Sequence, residues 1–151
     1  MTPEPFLEQD FRVLTPEAFD FVLNNELKRA VRSQNFLTLV TMEPRTAEGT
    51  PGVREIARLV SREVRETDLL STSGERQLSM VLLDADLQNS MRVIERLMAR
   101  LEHYQFTTPV DFEVGAACCP THGVDADTLR RVAATRHVPR GGEANAQSNA
   151  Q

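Results

Sequence analysis

No apolar run in the sequence approaches the roughly 20 residues needed to cross a bilayer. Met1-Thr2-Pro3-Glu4-Pro5 has neither the basic start nor the apolar segment of a secretory leader. The expectation is a cytoplasmic protein with no membrane insertion. An excess of basic residues is missing too: 17 Lys and Arg against 22 Asp and Glu leave a formal net charge of −5. That argues against nucleic acid or an anionic membrane as a general partner, because both are bound largely through surplus cations. Lys28 is the only lysine, so the basic side chains are otherwise arginine. Cysteine is confined to the neighbours Cys118 and Cys119. A disulfide between adjacent residues is strained, so reduced thiols are expected. Their side chains point to opposite faces of a strand, so even with His122 nearby they form no metal set, and a structural role is expected. His103 and His137 lack the companions of a catalytic triad.

At 151 residues the chain suffices for one domain with a core of its own. Met1 to Leu14 reads as an N-terminal arm, residues 15–138 as the domain, and residues 139–151, small and polar without periodicity, as a disordered tail. Thr15-Pro16-Glu17 supplies an N-cap, a proline at the first helical position and an early acid, which predicts a helix over Pro16 to Ser33. Asn35 to Glu43 has the β-branched and apolar density of a central strand, expected to stop at Pro44. A second helix starts at Thr50-Pro51 and is expected to end near Arg65 or Glu66, with Val53, Ile56, Ala57, Val60 and Val64 as its buried stripe. Leu69 to Thr72 and Gln77 to Leu83 read as a hairpin about a turn at Gly74. Leu87, Met91, Ile94, Leu97, Met98 and Leu101 mark a third helix, with Arg92, Glu95, Arg96 and Arg100 off that stripe. Val110 to Cys118 reads as a fourth strand and Asp125 to Arg136 as a last helix. Setting aside the first and last helices, strand, helix, strand, strand, helix, strand is the ferredoxin-like βαββαβ order. It predicts an α/β (α+β) fold with a mostly antiparallel central sheet flanked by helices.

Over roughly Leu14 to Arg136 this layout resembles the GGDEF, or diguanylate cyclase, family. Leu37 to Glu43 is similar to that family's buried strand ending in a metal-binding acid. Arg65-Glu66-Thr67-Asp68 followed by Gly74-Glu75-Arg76-Gln77-Leu78 is similar to its Arg-x-x-Asp and Gly-Gly-Asp/Glu-Glu-Phe turn. Val93 to Arg96 and Val114 to Pro120 resemble its Ala-Glu-Arg helix and its Ser-Ile-Gly-Val-Ala strand. The resemblance implies a GGDEF/nucleotidyl-cyclase-like domain.

Departures from the family bear on the chemistry that the resemblance implies. In the family, turn carboxylates and the strand-end acid hold Mg²⁺ against a triphosphate. Here Glu43 is a weak candidate for the strand-end ligand, but Arg76 and Gln77 replace the turn carboxylates, and an arginine repels a cation. Glu75 replaces the second glycine, and the guanine-binding segment has no counterpart between Pro44 and Val53. The expectation is a degenerate domain without cyclase activity, with no catalytic residues and no Mg²⁺ or other cofactor. The family's product site survives on paper: Arg65, Asp68 and Arg96 match the residues that bind cyclic di-GMP. Guanidinium forks suit phosphates and guanine N7/O6, and a carboxylate accepts from guanine N1 and N2. Cyclic di-GMP and a protein partner, with a second copy of the chain among the candidates, are the partners this implies. The bland reading is a surface Arg65–Asp68 ion pair worth little. The competing function is a protein-interaction or dimerisation domain that binds no nucleotide.

Overall fold

The computed structural model describes residues 13–45, 50–65, 67–73, 77–103 and 111–138. The elements run α1 (Pro16–Ser33), β1 (Leu37–Arg45), α2 (Thr50–Glu63), β2 (Leu69–Ser73), β3 (Gln77–Leu83), α3 (Leu87–His103), β4 (Asp111–Cys119) and α4 (Ala126–Thr135). The arm residues 1–12, the turn Gly74-Glu75-Arg76 and the tail 139–151 lie outside the described residues.

α1 starts where its sequence signals place it. The Thr15 hydroxyl accepts from the Ala18 N–H at 3.2 Å and Pro16 opens the first turn. The strands form one sheet in the order β2-β3-β1-β4, and all three neighbouring pairs are antiparallel. β1 and β2 point the same way with β3 between them, which is the split βαβ arrangement expected from the element order.

Both faces of the sheet are covered. On one face, Val40, Met42, Leu78, Met80 and Leu82 pack against Ile56, Ala57 and Val60 of α2 and Ile94, Leu97 and Leu101 of α3. On the other, Leu37, Leu39, Val81, Ala117 and Cys119 pack against Phe19, Leu23 and Leu27 of α1 and Leu129 and Ala133 of α4. Alternate residues of β1 and β3 serve opposite cores, so these strands read as nearly unbroken apolar runs.

Several boundaries differ from the sequence expectation by one to three residues, β2 ending at Ser73, β4 at Cys119 and α4 running Ala126–Thr135, and two of the differences have identifiable reasons. β1 does not stop before Pro44. It pairs with β4 through Pro44↔Phe112 and Arg45↔Asp111, while its pairing with β3 ends at Met42↔Leu78. Past Met42 no β3 pairing continues on that side of β1 among the described residues, the setting in which a strand tolerates proline. α2 ends at Glu63 rather than at Arg65 or Glu66. In a continuing helix the Arg65 N–H would bond to the carbonyl four residues back; instead it donates to Asp68 Oδ2 at 3.2 Å.

The outer strands also carry neighbours. Val13 is fully buried, and the Leu14 N–H donates to the Leu70 carbonyl at 2.7 Å along β2. Along β4, the Val138 N–H donates to the Val114 carbonyl at 2.6 Å, and Gly115 bridges His137. Short flanking segments therefore cover both sheet edges.

Candidate functional site

The sequence motif Arg65-x-x-Asp68 folds into the link between α2 and β2, at the end of the sheet where β3 finishes. Asp68 is its anchor. Only 4% of its side chain is exposed. Oδ2 accepts from the Arg65 N–H at 3.2 Å, and Oδ1 accepts from the Leu83 N–H at 3.1 Å. A single carboxylate thus ends α2, starts β2 and pins the end of β3. Arg65 lies over this junction with 64% of its side chain exposed. Its Nη2 donates to the Leu83 carbonyl at 2.7 Å, and its Nε stands 3.7 Å from Asp68 Oδ2.

Arg96 comes to the same place from α3, where Ile94, Leu97 and Leu101 face the core and turn it outward. Its Nη2 donates to the Glu63 carbonyl, left open at the end of α2, at 3.3 Å. The Glu63 carboxylate lies 3.9 Å from Arg96 Nε and 3.7 Å from Arg100 Nε. α3 therefore holds the end of α2 with two arginines.

Arg65, Asp68 and Arg96 line one open groove of about 420 Å³, with Asp84 and Asn89 among its other walls. The groove is of the size that takes a small molecule. Two exposed guanidinium groups stand on its rim beside the carboxylates of Asp68 and Asp84. Asp84 and Asn89 were not singled out in the sequence. The one local signal is Asp84 at the end of the apolar β3 run, where the backbone turns with φ of 58°.

The other sequence candidates sit elsewhere. Gln77 and Leu78 begin β3, Leu78 buried and Gln77 half-buried; the rest of the signature turn is outside the described residues. Glu43 is half-buried on β1, directly across from Glu113 of β4. His137 Nε2 stands 2.9 Å from Glu113 Oε1, an acid contact for His137 that the sequence did not reveal. Among the described residues, no group of three His, Cys, Asp or Glu side chains is placed to hold a metal ion.

Cys118 and Cys119 are fully buried free thiols. Burial, with Cys118 beside it, pushes the Cys119 thiol above its ordinary pKa. His122 closes the turn after β4: its ring Nδ1 accepts from the Cys118 N–H at 2.9 Å, and its backbone N–H donates to the Cys118 carbonyl at 2.7 Å. Burial, helped by the positive charge of Arg136, holds the imidazole below its usual pKa.

Comparison with solved structures identifies the fold. The chain is similar to the GGDEF domain of FimX from Pseudomonas aeruginosa, at 12% identity and a TM-score of 0.75 over 86% of this chain and 90% of that one. It is similar to the GGDEF domain of DgcB from Caulobacter crescentus, in complex with c-di-GMP, at 11% identity and a TM-score of 0.72 over 89% and 86%. It also resembles the diguanylate cyclase SiaD, in complex with its activator SiaC from Pseudomonas aeruginosa, at 17% identity and a TM-score of 0.70 over 86% of this chain and 57% of that one. No protein-family model matches the sequence, and no curated protein matches it. The chain has the GGDEF, diguanylate cyclase-like fold.

Proposed function

We propose that this domain is a catalytically inactive member of the GGDEF fold that binds cyclic di-GMP in the groove of Arg65, Asp68 and Arg96, and passes the bound state to a protein partner. The observation that carries the reading is convergence. Arg65 and Arg96, from segments about 30 residues apart, meet on one groove with both guanidinium groups exposed. A phosphodiester between them would receive charge-assisted, fork-shaped hydrogen bonds. Asp68 contributes chiefly by holding the Arg65 turn in place, since its oxygens already accept two backbone N–H groups. A solved GGDEF domain of similar fold, that of DgcB, is in complex with c-di-GMP, which supports the ligand class. Inactivity rests on sequence: Arg76 and Gln77 stand at the turn positions where Mg²⁺ ligands are required.

One observation favours a second reading. Arg65 and Arg96 already hold backbone carbonyls, those of Leu83 and Glu63, so they also serve the frame of the domain. A domain in which that is their whole role would be a protein-interaction or dimerisation module without a nucleotide.

Titration calorimetry with cyclic di-GMP and with GTP, on the wild type and Arg65→Ala, tests these readings. The expected result is binding of cyclic di-GMP by the wild type, weakened at least about tenfold by loss of the guanidinium. No binding of either nucleotide would favour the interaction module. Formation of cyclic di-GMP from GTP by the wild type would falsify the claim of inactivity.

A further inference from the structure

A second groove, of about 270 Å³, lies at the same end of the sheet but on its other face. Its walls include Arg29, Phe36, Thr67, Leu83 and Asp84. The two grooves are back to back. Leu82 faces the Arg65 groove and Leu83 the Phe36 groove, because successive strand residues point to opposite sides. Between them runs a saddle built from Leu83 and Asp84, and Asp84 lines both grooves. Arg65 bonds to the crest of this saddle, at the Leu83 carbonyl. Phe36 is one of few large apolar side chains left exposed among the described residues, 43% so, and it stands in the wall of an otherwise mixed polar groove.

Resting on the proposed function, we infer that the Phe36 groove is the subsite for the second base of the cyclic dinucleotide. The ligand straddles the saddle, with one base in the Arg65 groove and the other stacked on Phe36. A cyclic dinucleotide is two purines on a ring of two phosphodiesters, so flat contacts on either side of a cation match its layout. The Arg65 groove supplies the cation and one enclosure; an exposed aromatic ring across the crest supplies the other contact. Base–aromatic stacking is a recurring way of holding an unpaired base. Arg29, beside Phe36 and 3.4 Å from Glu26, adds a guanidinium plane on the same side. A saddle-spanning pose uses both grooves, with Asp84 common to their walls.

The test measures cyclic di-GMP affinity by calorimetry for the wild type, Phe36→Ala, Phe36→Tyr and Arg65→Ala, with thermal melts to verify folding. The expected result is a loss of about tenfold or more in Phe36→Ala, as removal of a base-stacking ring produces, with Phe36→Tyr close to wild type. If the wild type binds, Arg65→Ala weakens binding and Phe36→Ala stays within about twofold, the second subsite is wrong while the Arg65 site stands. If the wild type does not bind cyclic di-GMP, both proposals fall together. Because Phe36 is substantially exposed, its loss leaves the fold intact.

Discussion

Asp68 shows how one side chain can carry a junction. As an Arg-x-x-Asp it invites the reading of a surface ion pair, and the charge contact itself is of that modest kind: Arg65 Nε is 3.7 Å away on a side chain 64% exposed. The larger effect comes from the two backbone N–H groups it accepts, those of Arg65 and Leu83. Asp68→Ala leaves both donors without that partner at a buried site, and stability should fall by about 2–4 kcal/mol. Urea denaturation would measure this as a lower midpoint with an unchanged slope. Arg65→Ala, which keeps the backbone bonds, should cost under about 1 kcal/mol. A similar cost for both would mean that the ion pair, not the backbone bonding, holds the junction.

Between elements, the tightest constraint is where β4 meets α4. A Cβ at Gly115 would stand 1.8 Å from the Ala133 carbonyl oxygen and 3.2 Å from Thr41 Oγ1. The obstacle is helix backbone, which cannot rotate away as a side chain could, so α4 would have to lift off the sheet. Gly115→Ala should therefore destabilise the fold by about 2–3 kcal/mol or more, at the upper end of ordinary overpacking. The effect should appear in thermal unfolding, with Ala117→Gly as a contrasting loss of packing at the next residue on that face of β4. A Gly115→Ala variant as stable as the wild type would contradict the close approach. In the sequence this glycine was visible only through the resemblance of Val114 to Pro120 to a family strand; the space it leaves for Ala133 is a matter of helix-on-sheet distance. α1 was more legible. Thr15, Pro16 and Glu17 are local signals, and the helix begins where they stand because capping involves residues only three apart.

For the molecule as a whole, acid sensitivity above the carboxylate range should reflect the turn after β4. The neutral His122 ring accepts the Cys118 N–H, a bond that protonation removes. Its pKa is lowered in the folded protein by burial and by Arg136. Between that lowered value and the ordinary value of about 6.5, the unfolded chain binds more protons than the folded one. Stability should therefore rise with pH through this window, be complete above it, and be lost as pH falls toward the folded value. Urea midpoints between pH 5 and 7.5 should show a shallower slope in His122→Gln than in the wild type. Equal slopes would remove His122 from the account. Most of the architecture was legible from residue patterns alone. Element types, the stripes of α2 and α3 and the order behind a split βαβ sheet are written in local periodicity, because each follows from which side of a helix or strand must leave water. The strand through Pro44 and the early end of α2 were not, since one depends on which neighbouring strand is present and the other on a carboxylate folded back from residue 68. The site divides in the same way. That Arg65, Asp68 and Arg96 are the residues to examine was decided by the sequence. That they share a groove, that Asp68 is committed to the backbone, and that Asp84 and Phe36 stand close by were decided only by tertiary structure, because those placements depend on where segments distant in the chain cross at the end of one sheet.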